Sequence, residues 1–145
     1  MVPKNNSTSE FESGLLQKDG SAPRCVLLAE DDPASRRFLE IVLERAGYKV
    51  IPAGDGLEAM KLAISTQVDI VVTDATMPNL SGDEFCRFLR NSPSLSHLPV
   101  ILLSAQARKE PDENVEQLDA FLLKPVSGED LVACIEKLLA RKRDS

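Results

Sequence analysis

The sequence predicts an α/β fold, a doubly wound five-stranded parallel sheet built from a (βα)5 alternation, and three observations predict it. First, five apolar runs punctuate the chain: CVLLA (25–29), KVIP (49–52), DIVVT (69–73), VILLS (100–104) and AFLL (120–123). Each is too short to be a helix. Second, the runs are apolar almost throughout instead of alternating, the pattern of strands covered on both faces. Third, amphipathic stretches of helical period lie between most of them, which supplies the crossovers that parallel strands need.

Each element has its own justification. In ASRRFLEIVLERAG, Phe38, Leu39, Val42 and Leu43 recur at helical spacing, with Pro33 before them as a start signal and Gly47 as a stop. Asp32, immediately before Pro33, is read as the N-cap of that helix rather than as a ligand. Further helices are predicted over Gly56–Ser65 (Leu57, Met60, Leu62, Ile64), Gly82–Asn91 (Phe85, Cys86, Phe88, Leu89) and Gly128–Arg141 (Leu131, Val132, Ile135, Leu138, Leu139). Gly54 and Gly56 in AGDG follow the second run rather than the first, so they mark a turn and a helix start and not a dinucleotide loop. Between Ser104 and Ala120, Pro111 and the charges of RKEPDENVE leave only Val115 and Leu118 to bury, so a short or frayed helix is expected there.

Composition narrows the function. With 145 residues, 43% hydrophobic and 28% charged, the chain suits one compact domain. No apolar run reaches the roughly 18–20 residues of a membrane span, and the N-terminus lacks the basic start and apolar core of a secretory signal. A cytoplasmic protein without a membrane partner is expected. The net charge of −6 provides no basic face for nucleic acid, so direct binding to it is not expected. Residues 1–24 balance Lys4, Lys18 and Arg24 against Glu10, Glu12 and Asp19 and are polar, and they are read as a disordered tail or linker. Residues 25–141 then form the domain and 142–145 a C-terminal tail, as a monomer or weak dimer. Cys25, Cys86 and Cys134 lie far apart in apolar segments and are read as reduced core thiols, with no disulfide and no thiolate metal site. His97, the only histidine, is read as an exposed loop residue, and Arg141, Lys142 and Arg143 as complements to a helix C-terminus.

The strand ends carry the chemistry. In an open parallel sheet, ligands gather beyond the carboxyl ends of the strands at the switch point. Glu30, Asp31 and Asp32 follow the first run, Asp74 the third, Ser104 closes the fourth, and Lys124 with Pro125 follows the fifth. Two carboxylates about 4 Å apart repel by about 4 kcal/mol at an effective dielectric near 20, so such a cluster must neutralise or hold a cation. Oxygen ligands without His or Cys favour Mg²⁺ over Zn²⁺. Lys124 adds a fixed positive charge for an anion. Together these groups describe phosphoryl transfer to a carboxylate, with Asp74 as nucleophile, Glu30 and Asp31 as metal anchors and Ser104 as a hydroxyl donor to a phosphoryl oxygen.

LLAEDD, TDATMPNLSG, VILLSA and FLLKP also match, in order and with fitting spacing, a known family. From about Arg24 to Leu139 the chain resembles the receiver domains of bacterial two-component response regulators. The resemblance implies a flavodoxin-like receiver fold and Mg²⁺ held by Asp31 directly, by Glu30 through water, by Asp74 and by the backbone carbonyl of Thr76. It implies that Asp74 takes phosphate from the phosphohistidine of a sensor histidine kinase or histidine phosphotransfer protein, and that Lys124 binds that phosphate. Ser104 and Phe121 stand as the switch pair: the new dianion draws Ser104 inward, and the Phe121 ring takes the space released, which alters the face seen by an unidentified downstream effector. Pro125 resembles the family's cis Lys-Pro bond, and Thr76 and Gln106 occupy its variable positions beside the phosphoryl group. On this reading the chain is a signalling domain and not an enzyme, catalysing only its own Mg²⁺-dependent phosphorylation and dephosphorylation. It either stands alone or is a piece of a larger protein such as a hybrid kinase.

Two departures accompany the resemblance. Phe121 stands where many relatives carry Tyr, and the segment from Ser104 to Lys124 is slightly short, lacks a Gly-Ala pair and contains Pro111. Three other readings compete. A phosphorylation-independent scaffold fits the unusual segment around Pro111 but not the intact acidic pair, Asp74, Ser104 and Lys124. An aspartyl-phosphate phosphatase needs a second acid two residues beyond the first, where Thr76 stands. A flavin module needs a phosphate loop after the first strand, where Glu30, Asp31 and Asp32 repel it.

Overall fold

The computed structural model describes residues 22–107 and 118–144. Strands β1 (Cys25–Ala29), β2 (Lys49–Ala53), β3 (Ile70–Asp74), β4 (Val100–Ser104) and β5 (Ala120–Leu123) pair in parallel in the order β2-β1-β3-β4-β5. Every residue of β1 and β3 is buried, as strands covered by helices on both faces must be. The outer strands differ. Pro52 is tolerated on β2 because that strand is an edge and can spare an N–H. AFLL, expected as a buried run, is half-buried with Leu123 exposed, because β5 is the other edge.

Three strand limits shift by one residue. Ala53 joins β2, and in the third run Asp69 leaves the ladder while Asp74 enters it. Asp69 is occupied otherwise: its carboxylate accepts from the Cys25 N–H at 2.7 Å and its own N–H donates to the Cys25 carbonyl at 2.8 Å.

The helices are α1 (Pro33–Arg45), α2 (Gly56–Ser65), α3 (Gly82–Arg90) and α4 (Gly128–Asp144). Asp32 caps α1 as expected, accepting from the Ser35 N–H at 2.8 Å. Gly47, with φ 98°, turns the chain after α1. Ser81 and Glu84 form a reciprocal capping box on α3. Helix α4 runs to Asp144, so residues 142–144, expected as a tail, extend it; helical hydrogen bonding continues past the last apolar residue. The short helix expected between Ser104 and Ala120 falls largely on 108–117, outside the described residues.

Alternation along β1 divides the core. Val26 and Leu28 face a cluster with Leu39 and Leu43 of α1 and Leu131 and Ile135 of α4. Leu27 and Ala29 face the opposite cluster with Ala59 and Ala63 of α2 and Phe85 and Leu89 of α3. A fully buried leucine contributes about 1.5–3 kcal/mol, so these two layers hold the strand ends in fixed register. None of the three cysteines is in a disulfide, and Cys25 and Cys86 are buried; Cys134 is only half-buried at the margin of the α1/α4 cluster, which corrects its reading as a core thiol. Among the described residues no helix is long and apolar enough to cross a membrane.

Candidate functional site

The connections leaving β1 and β3 run to opposite sides of the sheet, which opens a crevice at their carboxyl ends. Ala29 pairs with Thr73, so the next residues along, Glu30 and Asp74, end the two strands side by side. Carboxylate oxygens of Glu30, Asp31 and Asp74 all lie within 4.8 Å of one another. Glu30 is 1% and Asp74 6% exposed, whereas Asp31 opens to solvent.

Among the described residues, the ammonium of Lys124 reaches this cluster. Lys124 Nζ lies 3.0 Å from Glu30 Oε1 and 3.1 Å from Asp74 Oδ1. Burial alone pushes the lysine's pKa down, but its hydrogen bonds and charge pairing with Glu30 and Asp74 outweigh that and hold it above the ordinary value. Glu30 moves up as well: burial dominates, the Asp32 N–H and Lys124 pull it down, and the neighbouring charge of Asp74 adds to the rise. Both directions agree with an ammonium held between the two buried carboxylates of Glu30 and Asp74. The ammonium is secure, and the cluster remains short of positive charge.

The surrounding backbone fixes this geometry. Glu30 Oε2 accepts from the Asp32 N–H at 3.1 Å, and its carbonyl accepts from Arg36 Nη1 at 2.8 Å. The Lys124–Pro125 bond is cis, as expected, and the Lys124 N–H donates to the Ser104 carbonyl at 2.8 Å. Ser104 Oγ accepts from the Gln106 N–H at 3.1 Å and donates to the Gln106 carbonyl at 3.0 Å, so this hydroxyl is engaged within its own loop. Phe121 pairs with Leu102 in the sheet and is half-buried, and Thr76 is exposed in the loop after β3. The structure thus brings Glu30, Asp31, Asp74 and Lys124 together and leaves Ser104 bonded to Gln106.

Arg36 was not read as part of the site. Its signal was available: it lies one turn into the helix that starts beside the acidic triplet. A groove of about 530 Å³ also opens beside Glu30 and Lys124, lined by Phe38 and Leu39 of α1, Leu103, Pro125 and Val126.

Chemically, three oxygen donors of one sign, one of them open to water, suit a hard cation that retains part of its hydration. A cation there leaves the lysine available to an anion arriving from the same side.

Comparison with known proteins gives the same answer. Residues 26–136 match the family model described as the response regulator receiver domain. The chain belongs to the response regulator receiver family. This receiver is 31% identical over 119 residues to the polar-differentiation response regulator DivK of Brucella anthropi, an alignment covering 81% of this chain and 97% of DivK. It is 35% identical over 147 residues to the sensor histidine kinase TmoS of Ectopseudomonas mendocina, covering 97% of this chain but spanning only 14% of TmoS. Among solved structures, the response regulator TrrA of Thermotoga maritima, in complex with Mg²⁺-BeF, superposes with a TM-score of 0.73 at 29% identity, covering 79% of this chain and 98% of TrrA. The protein is a phosphorelay receiver of two-component signalling, a class whose members partner histidine kinases or phosphotransfer proteins.

Proposed function

We propose that Asp74 is the phosphoacceptor, taking a phosphoryl group from the phosphohistidine of a histidine kinase or histidine phosphotransfer protein. The observation that carries this is the Lys124 ammonium held 3.1 Å from Asp74 Oδ1, beside an acidic pair that needs a further cation. A carboxylate oxygen of Asp74 attacks phosphorus, the P–N bond breaks, and the imidazole leaves with the electron pair and takes up a proton. Lys124 moves its hydrogen bonds from the carboxylates to the phosphoryl oxygens. Glu30, Asp31, Asp74 and the Thr76 carbonyl would hold Mg²⁺, and the ion when bound would shield the charge of the incoming group.

The switch follows from the same bonds. Ser104 releases Gln106 and donates to a phosphoryl oxygen, and Phe121 shifts into the space opened on the sheet edge. The apolar groove of Phe38, Leu39, Leu103, Pro125 and Val126 adjoins Glu30 and Lys124, and it seats the phosphodonor protein next to the acidic cluster. The functional unit begins at Cys25 and ends within α4, with residues 1–24 as a tail or linker. It acts in the cytoplasm as a monomer or weak dimer, signalling by change of shape rather than by turning over a substrate, and it supports only its own Mg²⁺-dependent phosphorylation and dephosphorylation.

Transfer from a phosphorylated histidine phosphotransfer protein tests this. Label passes to the wild type in Mg²⁺ and fails to pass in EDTA or to Asp74→Asn; full transfer to Asp74→Asn overturns the assignment.

A further inference from the structure

Two glycines pack closely against the loop between β3 and α3, one near its start and one near its end. Gly82 opens α3 with its Cα against the Asp74 carbonyl, where a Cβ would collide with that oxygen and stand 2.9 Å from Leu102 Cδ1. Gly56 opens α2 and lies against Leu80 near the end of the loop. A Cβ there would collide with the Leu80 carbonyl oxygen and stand 2.6 Å from Leu80 Cβ and 2.8 Å from its carbonyl carbon. The obstacle is backbone, so it cannot swing aside as a flexible side chain does.

The turn before α2 is itself locked. Asp55 Oδ1 accepts from the Glu58 N–H at 2.8 Å and Glu58 Oε1 accepts from the Gly54 N–H at 2.6 Å. The other oxygen of Asp55 accepts a long bond from Asn79 Nδ2 at 3.4 Å. Asn79 has φ 73°, a left-handed conformation that asparagine tolerates better than most residues, and the Leu80 N–H donates to the Pro78 carbonyl at 2.8 Å. A rigid helix start thus bears on residues 79 and 80 of the loop that also carries Thr76.

We propose that Gly56 and the Asp55–Asn79 contact are positioning elements for cation binding: they fix the place of the 75–81 loop and so of the Thr76 carbonyl relative to Glu30, Asp31 and Asp74. This rests on the reading that these four groups hold Mg²⁺. The AGDG turn is then part of the metal site's support, although it lies on a different strand connection from every ligand. Groups that orient metal ligands without touching the metal commonly change affinity by about 10–100-fold when removed.

The test is direct titration of the full chain with Mg²⁺, read by calorimetry and by amide chemical shifts in the 75–81 loop. Gly56→Ala weakens Mg²⁺ by about tenfold, with the loop shifts altered and the sheet shifts unchanged. Asn79→Asp sets two carboxylates against each other without adding bulk, and it decides the matter even where Gly56→Ala fails to fold. Its added charge acting through space strengthens cation binding, so weaker binding reads the loop and not the field. The exchanged pair Asp55→Asn/Asn79→Asp keeps the net charge and the helix cap, and it restores wild-type affinity. Unchanged affinity in a folded Gly56→Ala, or tighter binding by Asn79→Asp, overturns the proposal while Asp31→Ala still abolishes binding. A wild type that binds no Mg²⁺ overturns the underlying reading, and this proposal with it.

Discussion

The Lys124 ammonium, 29% exposed, ion-pairs at 3.0 Å with a Glu30 carboxylate that is 1% exposed, across 94 residues of sequence. The pair joins the ends of β1 and β5, which are separated in the sheet by β3 and β4. Asp74 lies beneath the same ammonium. Whatever else binds at this edge has to compete with, or compensate for, that bridge.

Removing the lysine therefore acts on stability and cation demand together. Lys124→Ala leaves Glu30 and Asp74 facing each other at low exposure, and the metal-free protein loses about 1–2 kcal/mol, discounted for the solvent that reaches Nζ. Added Mg²⁺ recovers most of that loss, so the rise in melting temperature with Mg²⁺ is larger in the variant than in the wild type. Thermal melts with and without the metal measure both quantities.

Phe38 is 54% exposed at the mouth of the groove beside Lys124. Phe38→Ala costs about 1 kcal/mol of stability, since only about half of the residue is buried. Phosphotransfer from a protein donor slows severalfold, and labelling by a small phosphodonor proceeds at the wild-type rate. Parallel time courses with the two donors distinguish docking from chemistry.

Asp119 holds the start of β5. One oxygen accepts from the Val100 N–H at 2.8 Å and from Arg90 Nη2 at 2.8 Å, while Arg90 Nη1 donates to the carbonyls of Leu98 at 2.6 Å and Ser96 at 3.0 Å. Asp119→Ala leaves the Val100 N–H without its acceptor and costs about 1–3 kcal/mol. In urea the midpoint falls and the slope is unchanged.

Tyr48 controls part of the alkaline limb. Burial raises its pKa above 10.0, Glu136 adds to the rise and Arg24 opposes it. The unfolded phenol ionises first, so this contribution to stability is complete below pH 10 and is lost as pH rises through the folded value. Tyr48→Phe shows a shallower decline in melting temperature through that window.

How far the sequence alone reaches is visible in particular residues. CVLLA, VILLS and AFLL coincide with strands because uninterrupted apolar runs of that length have one way to be buried, and Asp32, Gly56 and Ser104 stand where capping and strand-end arguments put them. Their strand-end positions put Glu30, Asp31, Asp74 and Lys124 on one edge of the sheet, and the long Lys124 side chain spans from β5 to the acidic cluster. The Asp119–Arg90 pair left no signal, because an ion pair between residues 29 apart depends on how a loop returns to the sheet. The engagement of Ser104 with Gln106 was equally hidden, since a hydroxyl's partner is set by local backbone dihedrals. Cys134 was misjudged because an apolar neighbourhood on a helix specifies a face but not how completely that face is covered.

The most direct measurement is chemical location of the acyl phosphate. The wild type is treated with a small phosphodonor and Mg²⁺, reduced with borohydride to convert any aspartyl phosphate to homoserine, and digested for peptide mass analysis. The account predicts homoserine at position 74 alone, absent when the metal is chelated. Homoserine at Asp31 or Asp32, or modification that proceeds equally in EDTA, contradicts it.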